Sequence, residues 1–252
     1  MLRAEGITDK GGVRSTNEDC FVVDEQLRLC VVADGMGGHN AGEVASSLAV
    51  EAIVGCIRGG RPGEWPFGFD PSFSEPANLV RTAIQLANEH VLETAGTSDE
   101  YSGMGTTIVA ALFFDNRVAI GHVGDSRIYR YTSGRLQQMT HDDSWIASIM
   151  AKDPTVDPAV LKNHPMRNVL TNVLGARPRT DIHIAEEELG EGDVLLLTTD
   201  GVHGVLDDGQ LERLLGEGSD PRAVAASIVL AAIGHGSRDN CTAVVAKYLP
   251  DE

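Results

Sequence analysis

Four aspartates in this chain stand where apolar runs meet turns. VVADGMGGH places Asp34 and Gly35 at the end of a run, and VLLLTTDGVHG places Asp200 and Gly201 in the same way. SRDNCTAVVAKY sets Asp239 just before a run, and HVGDSRIYRY sets Asp125 between two. Any one of them alone reads as an ordinary turn aspartate, since Asp-Gly is a common hairpin signal. Asp34 departs from that reading, because helical spacing rather than a returning strand follows it. Gly35, Gly37 and Gly38 then read as backbone kept bare so that a carbonyl can face a ligand. Aspartate side chains with a glycine carbonyl form an all-oxygen set suited to hard cations, Mg²⁺ or Mn²⁺. A pair of such ions about 4 Å apart lowers the pKa of a water between them and aligns it with a phosphorus atom. A substrate carrying phosphate needs a fixed cation as well. Arg14, in GGVRSTNED, is the candidate, because a guanidinium grips two phosphate oxygens at once; an ordinary surface arginine is the alternative.

Other phosphate chemistries fit less well. A Walker-type loop needs Gly-Lys-Ser/Thr after its glycines, and no lysine is present there. A dinucleotide fingerprint needs a third glycine where Asn40 stands. Cys20, Cys30, Cys56 and Cys241 lack a phosphate-cradling Cys-x5-Arg loop and zinc spacing, so they read as reduced thiols. Ser126, Thr106 and Thr107 have no His/Asp partner at a recognisable position and read as structural.

The elements that must carry these residues are short strands interrupted by a few helices. Phe21–Asp24 and Leu27–Ala33 predict a hairpin, Gly42–Ile57 a helix, and Arg58–Pro76 a long Gly/Pro/aromatic loop. A second helix is expected over about 77–95. A meander is expected over Thr106–Phe114, Arg117–Val123, Arg127–Tyr131 and Arg135–Met139. Strands at Asp181–Glu187, Val194–Thr199 and Cys241–Tyr248, with a helix over Pro221–Ile233, complete an α+β reading. With 252 residues, 42% of them hydrophobic, the chain can bury a large core as a single domain. The net charge of −17 argues against a polynucleotide partner and leaves room for carboxylates that hold cations. The longest apolar stretch, Ala223–Ile233, is too short to span a bilayer, and the N-terminus lacks a secretory run. A cytoplasmic protein without membrane contact, monomeric by default, is expected.

Seven blocks, GGVRSTNEDC, VVADGMGGHNAGEVAS, MGTTIVAALF, HVGDSRIYRY, HPMRNVLTNVLG, LLTTDGVHGVL and RDNCTAVV, run in order from Gly11 to Val245, within a resemblance that spans Gly11 to Tyr248. With them the chain resembles the metal-dependent Ser/Thr protein phosphatases of type 2C (PPM), in their short bacterial form. The resemblance implies a β-sandwich of two mostly antiparallel sheets flanked by helix pairs, a single catalytic domain over 1–252, and a flap over about 141–174. It implies that Asp34 bridges two Mn²⁺ or Mg²⁺ ions with the Gly35 carbonyl on one, that Asp200 and Asp239 hold the other, and that Asp19 binds metal-coordinated water. Asp125 matches a ligand of a third, weaker ion, and Arg14 matches the phosphate-binding residue. The histidine that many eukaryotic members carry after the Asp-Gly pair is replaced by Met36. His39 is then the nearest candidate general acid; it could equally cap the following helix, with a metal-bound water as donor. His203 reads as structural.

The activity implied is attack of a metal-bridging hydroxide on phosphoserine or phosphothreonine in phosphorylated proteins, opposing bacterial Ser/Thr kinases. Two rivals are an inactive phosphopeptide-binding relative and a two-metal nuclease. The first would lack one of Asp34, Asp200 or Asp239, all of which are present. The second would need a Lys/Arg stripe that the sequence lacks.

Overall fold

The computed structural model describes residues 2–38, 41–60, 65–153, 155–156, 161, 164–166 and 169–249. Its strands are β1 (Leu2–Asp9), β2 (Asp19–Asp24), β3 (Leu29–Met36), β4 (Gly105–Thr106), β5 (Ile108–Phe114), β6 (Arg117–Val123), β7 (Arg127–Thr132), β8 (Arg135–Gln138), β9 (His183–Glu188), β10 (Val194–Thr198) and β11 (Cys241–Tyr248). The helices are α1 (Ala41–Gly59), α2 (Glu75–Ala95), α3 (Trp145–Lys152), α4 (Asp200–His203), α5 (Asp208–Glu217) and α6 (Pro221–Gly234). One sheet has the order β1-β11-β10-β7-β8 and the other β2-β3-β5-β6-β9, with β4 on β3. Every named pairing is antiparallel.

The apolar runs are continuous because both faces of these strands are covered. Along β3, Leu29, Val31 and Ala33 face α1 and α2, while Cys30 and Val32 face the opposite sheet. Val244 and Ala246 of β11 belong to the same inter-sheet core, and Ala243 and Val245 turn outward to α5 and α6. This period of two separates three apolar layers around two sheets.

Most predicted elements are found, with boundaries moved by a few residues. Helix α2 starts earlier than expected, at Glu75: the Ser74 side chain accepts from Ala77 N, and Pro76 fits the first turn, where no N–H is needed. The expected meander is two hairpins in different sheets, because the chain crosses from β6 to β7 at Gly124–Ser126. Strand β1 and helix α5 are additional. The signals for them were the alternation of Leu2 and Ala4, and an Asp207–Gln210 capping box. Among the described residues no helix is long and apolar enough to cross a membrane.

Candidate active site

Antiparallel pairing brings the five aspartates to one rim. Asp19 opens β2 directly opposite Asp34 near the end of β3. Since β3 and β6 run the same way on either side of β5, the turn holding Asp125 lies at that end too. Asp200 follows β10, and Asp239 precedes its antiparallel neighbour β11. The crossing at Gly124–Ser126, which the sequence does not announce, is what sets Asp125 between the sheets.

Two glycines permit the close approaches. A Cβ on Gly201 would stand 1.9 Å from the Asn240 carbonyl oxygen, so only glycine allows the chain after Asp200 to lie against Asp239–Asn240. A Cβ on Gly35 would stand 2.0 Å from the Gly42 carbonyl oxygen and 2.7 Å from that of Glu18. Gly35 is therefore bare because the first turn of α1 and the approach to β2 press on it, a packing reason distinct from the ligand-facing one that the sequence suggested.

Hydroxyls fix the carboxylates. Asp19 Oδ2 accepts from Thr199 Oγ1 at 2.9 Å and from Thr242 Oγ1 at 2.6 Å, which ties β2 to the opposite sheet. Asp34 N donates to Thr107 Oγ1 at 3.1 Å, and that hydroxyl lies 2.7 Å from Ser126 Oγ, beside Asp125. Thr107 thus holds the Asp34 backbone and links it to Ser126, the residue after Asp125, the structural role expected of both. The buried Asn240 accepts from Glu18 N at 2.8 Å and donates to Lys10 O and Thr16 O at 3.0 and 2.9 Å, fixing the loop that carries Arg14. Asn240, Thr199 and Thr242 escaped the sequence reading because their roles depend on partners far along the chain.

Arg14 Nη2 reaches Asp239 Oδ2 at 2.6 Å. His203 is half-buried, pairs its Nδ1 with Thr198 Oγ1 at 2.9 Å, and is pushed well below the usual histidine range by burial. It is a structural neutral imidazole. His39 lies outside the described residues.

The electrostatics are those of crowded acids. Burial, then repulsion from Asp19, Asp200, Asp125 and Asp239, holds the Asp34 carboxyl well above the usual carboxylate range. Burial raises Asp19 to about 7 even though two threonines donate to it, and burial with Asp200 nearby raises Asp125 to about 7. Asp200 is raised to about 6 by burial and by Asp239. Among the described residues no three His, Cys, Asp or Glu side chains stand in a metal-ligating arrangement, and Asp239 is held by Arg14. The donor set nevertheless fits a hard divalent cation. It is all oxygen, and Asp19 Oδ1 is buried without a hydrogen-bond partner.

The protein phosphatase 2C family model matches residues 13–226. The serine/threonine phosphatase stp of Listeria monocytogenes is 30% identical over 97% of this chain and 95% of its own length. The serine/threonine protein phosphatase PstP of Mycobacterium tuberculosis is 32% identical over 98% of this chain and 45% of its own length. A crystal structure of PstP/Ppp superposes with a TM-score of 0.85 at 30% identity, over 99% of each chain. The PstP catalytic domain solved with two manganese ions superposes with a TM-score of 0.81 at 30% identity, over 98% of each. The α+β sandwich with its flanking helices is the architecture these structures share.

Proposed function

This chain belongs to the protein phosphatase 2C family and is a protein serine/threonine phosphatase, and on that premise we propose that it is metal-dependent and hydrolyses phosphoserine and phosphothreonine by direct attack of water. The observation that carries this reading is the meeting of Asp19, Asp34, Asp125, Asp200 and Asp239 at one rim with the Arg14 guanidinium beside them. Asp34, the Gly35 carbonyl, Asp200 and Asp239 would hold two Mn²⁺ or Mg²⁺ ions. Asp19 would act through water, and Asp125 would serve a third ion. When bound, such ions lower the pKa of water and make hydroxide available at neutral pH.

The chain's own residues do the rest. Arg14 binds and orients the phosphate by charge-assisted hydrogen bonds. Thr199 and Thr242 hold Asp19 in one orientation. His39 protonates the departing serine or threonine oxygen, with solvent as the alternative donor. The 252 residues act as one catalytic domain, monomeric and cytoplasmic, on phosphorylated proteins and in opposition to Ser/Thr kinases. The negative surface keeps polynucleotides away.

The decisive experiment is phosphate release from a phosphothreonine peptide with Mn²⁺, with EDTA, and with Asp239→Asn. Release that requires Mn²⁺ and is lost in the variant is expected. Full activity in EDTA would overturn the metal reading, and cleavage of single-stranded DNA in place of the peptide would favour a nuclease. For His39, His39→Ala is expected to slow a phosphoserine peptide more than an aryl phosphate, whose leaving group needs no proton; equal slowing removes it as the acid.

A further inference from the structure

The segment expected to form the flap begins and ends on a single carboxylate. Asp143, eighteen residues past Asp125 in sequence, donates its backbone N–H to Gly124 O at 2.9 Å. Its Oδ2 accepts the Gly124 N–H at 3.0 Å. One residue therefore grips both sides of the glycine that precedes Asp125. Gly124 has φ +98°, and a Cβ there would stand 2.7 Å from the Thr107 side chain, so this turn as folded requires glycine.

The same carboxylate reaches the far end of the flap. Oδ2 accepts from Asn172 Nδ2 at 2.8 Å, and Asp143 O accepts from Thr171 N at 2.8 Å. The neck above is zipped by Trp145 N to Val169 O at 2.8 Å and by the Ser144–Leu170 bridge. Asn172 carries the connection onward, donating to Asp181 O at 2.7 Å and accepting from Thr180 Oγ1 at 2.8 Å. Asp143 Oδ1 lies 3.0 Å from His183 Nε2, and the His183 ring stacks on its cross-strand partner His122 with centroids 4.6 Å apart. His122 Nε2 in turn lies 2.8 Å from His141 O. The flap neck, the approach to β9 and the Gly124 peptide share one hub.

We propose that Asp143 is a positioning residue that couples the flap neck to the Gly124–Asp125 turn, so that the placement of Asp125 and the seating of the flap are set together. Nothing in the sequence marks it. Its effect on the reaction rests on the reading of Asp125 as a cation ligand; its effect on the turn does not.

The test uses Asp143→Ala, Asp143→Asn and Asn172→Ala in the full chain. Amide hydrogen exchange of the metal-free protein is followed at Gly124, with Val109–Ala111 of the inter-strand core as reference, and Mn²⁺ binding is measured by calorimetry. Asp143→Ala is expected to speed exchange at Gly124 about tenfold or more with the core unchanged. It should also weaken the lowest-affinity Mn²⁺ site by about ten- to a hundredfold. Asp143→Asn keeps one acceptor oxygen and should restore part of both effects. Asn172→Ala keeps the Asp143–Gly124 bonds but frees the shared Oδ2 from the flap neck, so it should raise KM for a phosphopeptide and speed Gly124 exchange, though less than Asp143→Ala does. If Asp143→Ala loses core protection as well, the Asn variant decides. Unchanged Gly124 exchange in the better-folded variant overturns the proposal. A wild-type protein that releases no phosphate from phosphopeptides would instead overturn the proposed reaction and leave the exchange result standing.

Discussion

Arg14 Nη2 and Asp239 Oδ2 meet at 2.6 Å although 225 residues separate them, so the candidate phosphate-binding cation is paired with a candidate metal-binding anion. About half of the Arg14 side chain is exposed, and an ion pair there contributes less than about 1 kcal/mol to folding. Its consequence is for binding: a guanidinium held by Asp239 has fewer donors for phosphate, and a cation at Asp239 would release them. Calorimetry should show inorganic phosphate binding about tenfold or more tightly with Mn²⁺ than in EDTA. Equal affinities would separate the two functions.

Arg14→Ala should leave the thermal midpoint nearly unchanged and raise KM for a phosphothreonine peptide about tenfold or more, the cost of losing hydrogen bonds to a charged group. A large drop in midpoint with unchanged KM would make Arg14 a structural residue.

Gly201→Ala tests the approach of α4 to β11. The added methyl would fall 1.9 Å from Asn240 O, a backbone atom that cannot swing aside. Either the chain separates or it strains, and in both cases Asp200 leaves Asp239. Metal-dependent phosphate release should fall by at least about a hundredfold, with a midpoint several degrees lower. Near-normal activity would mean that the two carboxylates need not be so close.

Asn240→Ala removes one acceptor and two donors at a buried position, leaving Glu18 N, Lys10 O and Thr16 O without them. Denaturant unfolding should report a loss of about 1–3 kcal/mol, and KM should rise because the Arg14 loop is freed. A loss below about 0.5 kcal/mol would show that water replaces the amide without cost.

The raised carboxyls make the metal-free protein sensitive to base. Asp19 and Asp125 are pushed to about 7 and Asp200 to about 6, chiefly by burial, against about 3.9 in an unfolded chain. The folded state holds protons that the unfolded state has released. That contribution is complete below about pH 4 and is lost as pH rises through 6 to 7. In EDTA the thermal midpoint should therefore fall between pH 5 and 8. Mn²⁺ should raise it most at the upper end, where the ligands are ionised. A midpoint that climbs with pH in EDTA would contradict this.

Asp34, Asp125, Asp200 and Asp239 were legible because each stands at the junction of an apolar run and a turn, where strand ends must be; Asp19 entered only through the family resemblance. The helices over 41–59 and 221–234 were legible from their apolar spacing. Strand β1 was not, because Leu2 and Ala4 alone alternate clearly before Gly6, where Phe21 and Val244 press on the space a side chain would need. The crossing at Gly124 was not legible either, since Arg117–Val123 and Arg127–Tyr131 have the composition of one continuous meander.

By itself, then, the sequence determined the candidates for the chemistry: carboxylates suited to cations, an arginine suited to phosphate, and most of the strands that carry them. These are properties of residue type and local period, fixed by covalent structure and by which faces must be dry. Tertiary structure alone decided which groups meet. Asp19 faces Asp34 by strand register, Asp200 reaches Asp239 because Gly201 admits Asn240 O, and Asp143 binds Gly124 and Asn172 at once. Each meeting joins distant parts of the chain, and its position is set by packing between two sheets. Local sequence pattern carries no information about such distances.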